Sequence, residues 1–309
     1  MVFASFSSVI GQIQDDVALL LREEWAVEFP NSVQPLWLTL SGGGAFLIQT
    51  TGGLHYAESP LEQPSYLGSF ESLDVVGAAI VGNSIELLDA KTRRVVTVDF
   101  RGRSLGWRDV SAAGVIQSAT RSSCGWVLAL SGATGSELVL EADNGEVAWR
   151  VESSLGEVAL TENAGAVVAT ETKRPFRITR LDCDRPDKAA MGFGQLSDAY
   201  LPNDSWTSLP AFSLGRLTVR TLVDVSSDHR ILMVYGQAGE LLRESRIDAP
   251  IGLVSAWGEH TVVGVRRLDR LEVVGFTAGT KQSREGGPSL RPRGDADSCT
   301  SFHPGTPPS

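Results

Sequence analysis

For most of its length the chain alternates apolar and polar residues in short runs broken by turn residues, and a period of two predicts strands. The clearest unit is Ser136 to Val151, where two alternating runs flank Asp143-Asn144-Gly145. An Asn-Gly pair in that setting predicts a β-hairpin, because both central turn positions need positive φ. Weaker copies run from Phe46 to Tyr56, Ile85 to Phe100, Phe176 to Ala190, Ile231 to Arg243 and Leu271 to Lys281. Gly53, Arg93, Gly145, Pro186, Gly239 and Gly279 hold the turn position in chain order, so successive spacings are 40, 52, 41, 53 and 40 residues. Strand-rich sequence repeating every ~40–50 residues predicts an all-β propeller, since one small sheet cannot bury both faces alone while a ring of sheets can.

Six repeats predict six blades, with seven as the alternative. The expected organisation is an N-terminal extension over 1–30, a propeller over 31–279 and a disordered tail over 280–309. Val2 to Phe6 is expected to add an outer strand to the last blade and so remove an exposed edge. Ile10, Ile13, Val17, Leu20 and Leu21 fall at helical spacing, which predicts one short N-terminal helix over Ser8 to Glu24 that packs on the rim or binds a partner. Ser41-Gly42-Gly43-Gly44 reads as a tight turn between two strands, because a phosphate cradle needs a helix after it. The tail carries five of the 14 prolines and almost no apolar pattern, so it cannot offset its ordering entropy.

Leu88-Asp89-Ala90-Lys91-Thr92 followed by Val95, and Leu140-Glu141-Ala142-Asp143-Asn144-Gly145-Glu146-Val147-Ala148-Trp149, resemble the PQQ-like repeat of quinoprotein-type β-propellers. The resemblance implies the propeller fold. It implies no cofactor here, because quinoprotein dehydrogenases carry adjacent cysteines beside the quinone, and Cys124, Cys183 and Cys299 are far apart.

The formal net charge of −10 argues against a nucleic-acid partner, since phosphate binding needs a basic surface. No apolar run reaches a membrane-spanning length. Widely spaced cysteines without His neighbours predict neither a metal site nor a disulfide framework, and three free thiols fit a reducing, cytoplasmic setting. Nothing near the N-terminus reads as a secretory signal.

The repeat stretches over 100–125 and again over 191–212. Turn positions two apart lie 92, 93, 94 and 93 residues from each other, which predicts paired blades in a three-fold arrangement, the helix filling the third insertion position. Insertions in repeat proteins gather on a binding face, and exposed aromatics beside arginine are hot-spot residues. Trp107, Arg108, Tyr200 and Trp206 are therefore the expected contacts of a non-catalytic, cytoplasmic binding or scaffolding propeller, whose partner is a protein or a small molecule. The alternative is a propeller enzyme, a lyase, hydrolase or isomerase, with Asp109, Glu157, Asp198 and His260 converging in the axial mouth. Gly102-Arg103-Ser104-Leu105-Gly106 matches a nucleophile elbow by letter but lacks the following helix that an elbow needs.

Overall fold

The computed structural model describes residues 18–281 apart from 30–34, 41–44, 51, 60–61, 71, 133–134, 154, 164–165, 183–192, 197–200, 202, 228, 248–250, 258–260 and 268–270. Every regular element among them is a strand. Sheet I holds β2 (Pro35–Leu40), β3 (Phe46–Thr50), β4 (Gly53–Ala57) and β5 (Ser65–Gly68). Sheet II holds β6 (Val75–Val81), β7 (Ser84–Asp89), β8 (Arg94–Val98) and β9 (Ser104–Asp109). Sheet III holds β10 (Ile116–Ser122), β11 (Gly125–Ser131), β12 (Ser136–Glu141) and β13 (Val147–Ser153). Sheet IV holds β14 (Val158–Asn163), β15 (Ala166–Glu171) and β16 (Ile178–Asp182). In sheet V, β17 (Trp206–Ser208) and β18 (Phe212–Leu214) share one edge of β19 (Leu217–Asp224), followed by β20 (Arg230–Tyr235) and β21 (Leu241–Ile247). Pro210, which has no N–H to give the ladder, falls at the break between β17 and β18. Sheet VI holds β22 (Ile251–Trp257), β23 (Thr261–Arg267) and β24 (Leu271–Lys281), and its outer strand is β1 (Ala18–Phe29).

The sheets pack face to face. Alternate residues of β11 point to opposite faces, so Trp126, Leu128 and Leu130 join Leu88 and Val95 of sheet II. Val127 and Ala129 join Val158, Val167 and Leu181 of sheet IV. Equivalent cores link sheets I and II through Leu47, Leu54, Ile85 and Leu87, sheets IV and V through Val168, Ile178, Leu222 and Met233, and sheets V and VI through Phe212, Val234, Leu253 and Val274. Strands β2, β6, β10, β14, β18 and β22 each lie against the next, and β22 lies against β2. This cyclic, face-to-face order is β-propeller-like. Burying each such Leu or Val contributes about 1.5–3 kcal/mol.

Three expectations need correction. Residues 18–24 are not helical: β1 runs antiparallel along β24 from Ala18 opposite Lys281 to Phe29 opposite Leu271, with a bulge between Glu23 and Trp25. A sheet edge running the length of β24 outweighs the local helical spacing of Val17, Leu20 and Leu21, because pairing satisfies a whole row of backbone groups. Residues 100–125 are not an insertion either; they carry β9, a crossover and all of β10. The alternating spacing arose because the turn residues are not equivalent. Gly53 opens a third strand and Arg93 lies between second and third strands, Gly145 and Gly239 lie between third and fourth, and Gly279 lies inside β24. Counted on first strands, β2, β6, β10 and β14 start at 35, 75, 116 and 158. The longer interval is the next one, to β17 at 206. The two PQQ-like hairpins therefore occupy different strand pairs, although Arg93 (φ 57°) and Gly145 (φ 82°) share the left-handed turn conformation. Val2 to Phe6, the Ser41–Gly44 turn and residues 282–309 lie outside the described residues.

The third correction concerns sulfur. Cys124, in the β10–β11 turn, is disulfide-bonded. The argument from three free thiols to a reducing compartment therefore loses its premise. Alkylation of the denatured, unreduced protein should label one cysteine per chain and three after reduction. Three labels without reductant would remove the bond.

A recurring device orders the crossovers. In each of sheets II to V a buried carboxylate ends a strand and accepts hydrogen bonds from the segment that enters the same sheet. Asp89 accepts from the Asp74 N–H at 2.7 Å and from the amides of Lys91 and Thr92, both at 3.2 Å. Glu141 accepts from Ser111 N–H at 2.7 Å, from Ala112 N–H at 3.3 Å and from the Arg108 guanidinium. Glu171 accepts from Gly156 N–H at 2.7 Å and from Arg177. Asp224 accepts from the hydroxyls of Ser205, Ser226 and Ser227.

Candidate functional site

Two surfaces gather the described candidates. The first is β9, the outer strand of sheet II, which pairs with β8 in register Val96 opposite Trp107 and Arg94 opposite Asp109. Period two puts Trp107 and Asp109 on one face and Gly106 and Arg108 on the other. Trp107 is 57% exposed and Leu105 60%. The Arg94 guanidinium sits 3.7 Å from the centre of the Trp107 ring, a cation–π contact worth ~0.5–1 kcal/mol on an exposed surface. Arg94 Nε also donates to Asp109 at 3.1 Å, so the indole is held flat under a fixed cation. On the opposite face Arg108 reaches Glu141 of sheet III and is a structural tie as much as a contact. Beside it lies an open groove of about 260 Å³ lined by Glu86, Val95, Thr97, Leu105, Gly106, Trp107 and Arg108.

The second surface is a cleft of about 440 Å³ lined by Lys173, Arg174, Asp204, Ser205, Trp206, Thr207 and Val225. It lies where the β15–β16 turn meets the start of β17. Lys173 Nζ is 2.6 Å from Glu157 Oε2, and this hydrogen bond, opposed by slight burial, lowers the Glu157 pKa. Arg174 Nε lies 3.4 Å from Asp204. Thr207 Oγ1 donates to the Thr172 carbonyl at 3.1 Å. The serine hydroxyls on Asp224 hold its carboxyl far below the usual range. The cations are thus matched by carboxylates, and the cleft offers an aromatic wall between ion pairs.

The structure does not bring the expected contacts into one mouth. Trp107, Arg108 and Asp109 lie on sheet II and Trp206 on sheet V, three places apart in the cyclic order. Of the four candidate acid–base groups, Glu157 flanks the cleft and Asp109 lies on β9; Asp198 and His260, like the contact Tyr200, fall outside the described residues. Ser104 opens β9, with a strand rather than a helix after it. His55, on β4, packs edge-on to Tyr66 with ring centres 5.4 Å apart, and burial lowers its pKa. Among the described residues no three His, Cys, Asp or Glu side chains group as metal ligands.

Sequence reasoning missed the four carboxylates and Arg220, a fully buried arginine that donates to the Gly194 carbonyl at 3.0 Å, the Phe176 carbonyl and the Tyr235 hydroxyl. A signal for the carboxylates did exist. Leu88-Asp89, Leu140-Glu141, Thr170-Glu171 and Val223-Asp224 each close a β-run with an acid just before a turn.

No family model matches the chain, and no curated protein matches it. Solved structures do. A member of the duf4221 family from Bacteroides vulgatus is similar over 87% of this chain and 100% of its own, at 9% identity and a TM-score of 0.52. Virginiamycin B lyase from Staphylococcus aureus is similar over 84% of this chain and 99% of its own, at 11% identity and TM-score 0.49. BamB from Moraxella catarrhalis is similar over 84% and 100%, at 9% identity and TM-score 0.40. The last two are β-propeller proteins. At such identities the likeness concerns the fold alone.

Proposed function

We propose that the chain is a six-bladed β-propeller that acts as a binding protein without catalysis of its own, and that β9 is its docking strand. The six sheets in cyclic order support the blade number. The observation that carries the function is the exposure of Leu105 and Trp107 on an outer edge strand, with the indole fixed under Arg94. A rigid, exposed aromatic beside arginine is the composition of an interface hot spot. Recovery from native extract should yield a stoichiometric protein partner with the unaltered chain and none with Trp107→Ala, whose thermal midpoint stays unchanged because the side chain is mostly solvated. A partner retained equally by Trp107→Ala overturns the reading.

A small-molecule or enzymatic role has one observation in its favour, the concave cleft at Trp206, since small-ligand sites are concave. It is favoured instead if a ligand screen raises the thermal midpoint of the unaltered chain and Trp206→Ala abolishes that shift.

A further inference from the structure

We infer that the occupant of β9 is an extended acidic segment of a partner protein, added as a strand to the free edge of sheet II, with one bulky apolar side chain over Gly106. This rests on the binding reading above and specifies its chemistry.

The backbone supplies the first argument. Among the described residues β9 pairs with β8 alone. The Val110 N–H donates to the Arg93 carbonyl at 2.8 Å, one step beyond the Arg94–Asp109 pair. Antiparallel pairs alternate between bonded and non-bonded, so Arg108 and Gly106 bond inward to Val95 and Thr97. The N–H and C=O groups of Trp107 and Asp109 therefore point outward, as a template for another strand.

Comparison with other outer strands gives the second. The exposed positions of β13 include Arg150 and Glu152, and those of β21 include Glu244 and Arg246. Charges so placed discourage strand addition. On β9 the corresponding stretch is Leu105-Gly106-Trp107, with both large side chains exposed.

The groove gives the third. A residue added opposite Gly106 projects onto the face of Val95, Thr97 and Arg108, where the 260 Å³ groove is open. A β-carbon placed on Gly106 itself would meet nothing within 4 Å, so the volume above it is free for a partner's side chain. The flanking residues of that partner would then lie beside Leu105 and Trp107.

Charge selects the sequence of the segment. Of the five arginines in residues 93–109, Arg94, Arg103 and Arg108 are paired with Asp109, Asp99 and Glu141, which leaves Arg93 and Arg101 as the cations in excess, in a chain whose net charge is −10. This local excess of cations complements glutamate and aspartate and repels lysine and arginine.

The test uses a fluorescein-labelled peptide alternating glutamate with valine and carrying one central phenylalanine, titrated against the full chain and read by anisotropy. Saturable binding is expected, weakened about 30-fold by Trp107→Ala and at least about tenfold when lysine replaces glutamate. N-methylation of one alternate set of peptide amides should abolish binding, and methylation of the other set should leave it intact. Equal effects from the two sets overturn strand addition. Equal affinity for the lysine peptide, or tighter binding of a single-stranded oligonucleotide, overturns the acidic segment. Failure to bind the acidic peptide while partner capture still depends on Trp107 overturns this inference alone, whereas capture indifferent to Trp107 overturns the binding reading beneath it.

Discussion

Replacing Arg177 with alanine should lower the unfolding free energy by about 3–5 kcal/mol, the loss that follows when one half of a buried ion pair is removed. Glu171 is 2% exposed. It accepts from Gly156 N–H at 2.7 Å, Arg177 N–H at 3.0 Å and the Arg177 guanidinium at 2.9 and 3.2 Å. Burial alone would raise its pKa, but the Arg177 bonds and the amide of Gly156 outweigh that and lower it below 4.5. A carboxyl whose folded pKa is depressed contributes stability that is fully present above its unfolded pKa and is lost as pH falls through the folded value. Asp89 obeys the same sign, with burial again opposed by Thr92, Asp74 and Lys91. The unaltered protein should therefore lose stability steadily as pH drops below about 4.5. In Arg177→Ala the guanidinium bonds that oppose burial are gone while the backbone amides of residues 156 and 177 remain, so the Glu171 pKa rises and the variant loses less stability on acidification than the unaltered protein. Urea unfolding at pH 7 and pH 5 reads both effects, and Glu171→Gln combined with Arg177→Ala should recover part of the stability at pH 7. A loss under about 1 kcal/mol for Arg177→Ala, the size of an ordinary surface change, would show that the pair is solvated and dispensable.

The second large effect is expected at Gly125. Its φ is +140°, and a β-carbon there would lie 2.2 Å from the Glu141 carbonyl oxygen and 2.9 Å from the Ala142 α-carbon. Both are backbone atoms, one at the end of β12 and one in the residue after it, so neither can rotate away. Gly125→Ala should cost about 3–5 kcal/mol, strain and overpacking together. Gly82 supplies the control. Its φ is +56°, but nothing lies within 4 Å of the added carbon, so Gly82→Ala should cost only about 1–2 kcal/mol for the left-handed backbone. Denaturant midpoints of the two variants separate the causes. Equal losses would mean that the dihedral angle, not the collision, decides.

Much of the fold was legible because its strands are short, local and bounded by turn residues. Asn144-Gly145 does form the β12–β13 turn, and β11 reads as a continuous apolar run because both of its faces are buried. What was not legible depends on distant partners. The edge that makes a strand of Ala18–Phe29 comes from β24, at the other end of the described chain, and no local pattern announces it. Arg93 and Gly145 look alike because they share a backbone conformation, yet they sit in different strand pairs, so counting turns shifted the repeat frame. Trp107 and Trp206 stand out in the sequence as aromatics among polar neighbours, but Trp206 is half-buried against the core between sheets IV and V. Their separation onto sheets II and V follows from that same frame. The Asp of Leu88-Asp89-Ala90 was seen only as part of a motif; its role is to accept from an amide fifteen residues upstream.

The pairing of β1 with β24 also fixes the order of events during synthesis. The ribosome releases β1 first and β24 last among the described strands, so β1 waits, edge unsatisfied, while the other sheets stack. Closure is then a single long-range event with a high loop entropy, the slowest kind of contact to form. Until it happens the nascent protein exposes the inner faces of its first and last sheets, and a second nascent chain can donate the missing strand. Crowded translation on one message would accordingly favour strand-exchanged pairs, and a pause in elongation after β24 would favour closure within one chain.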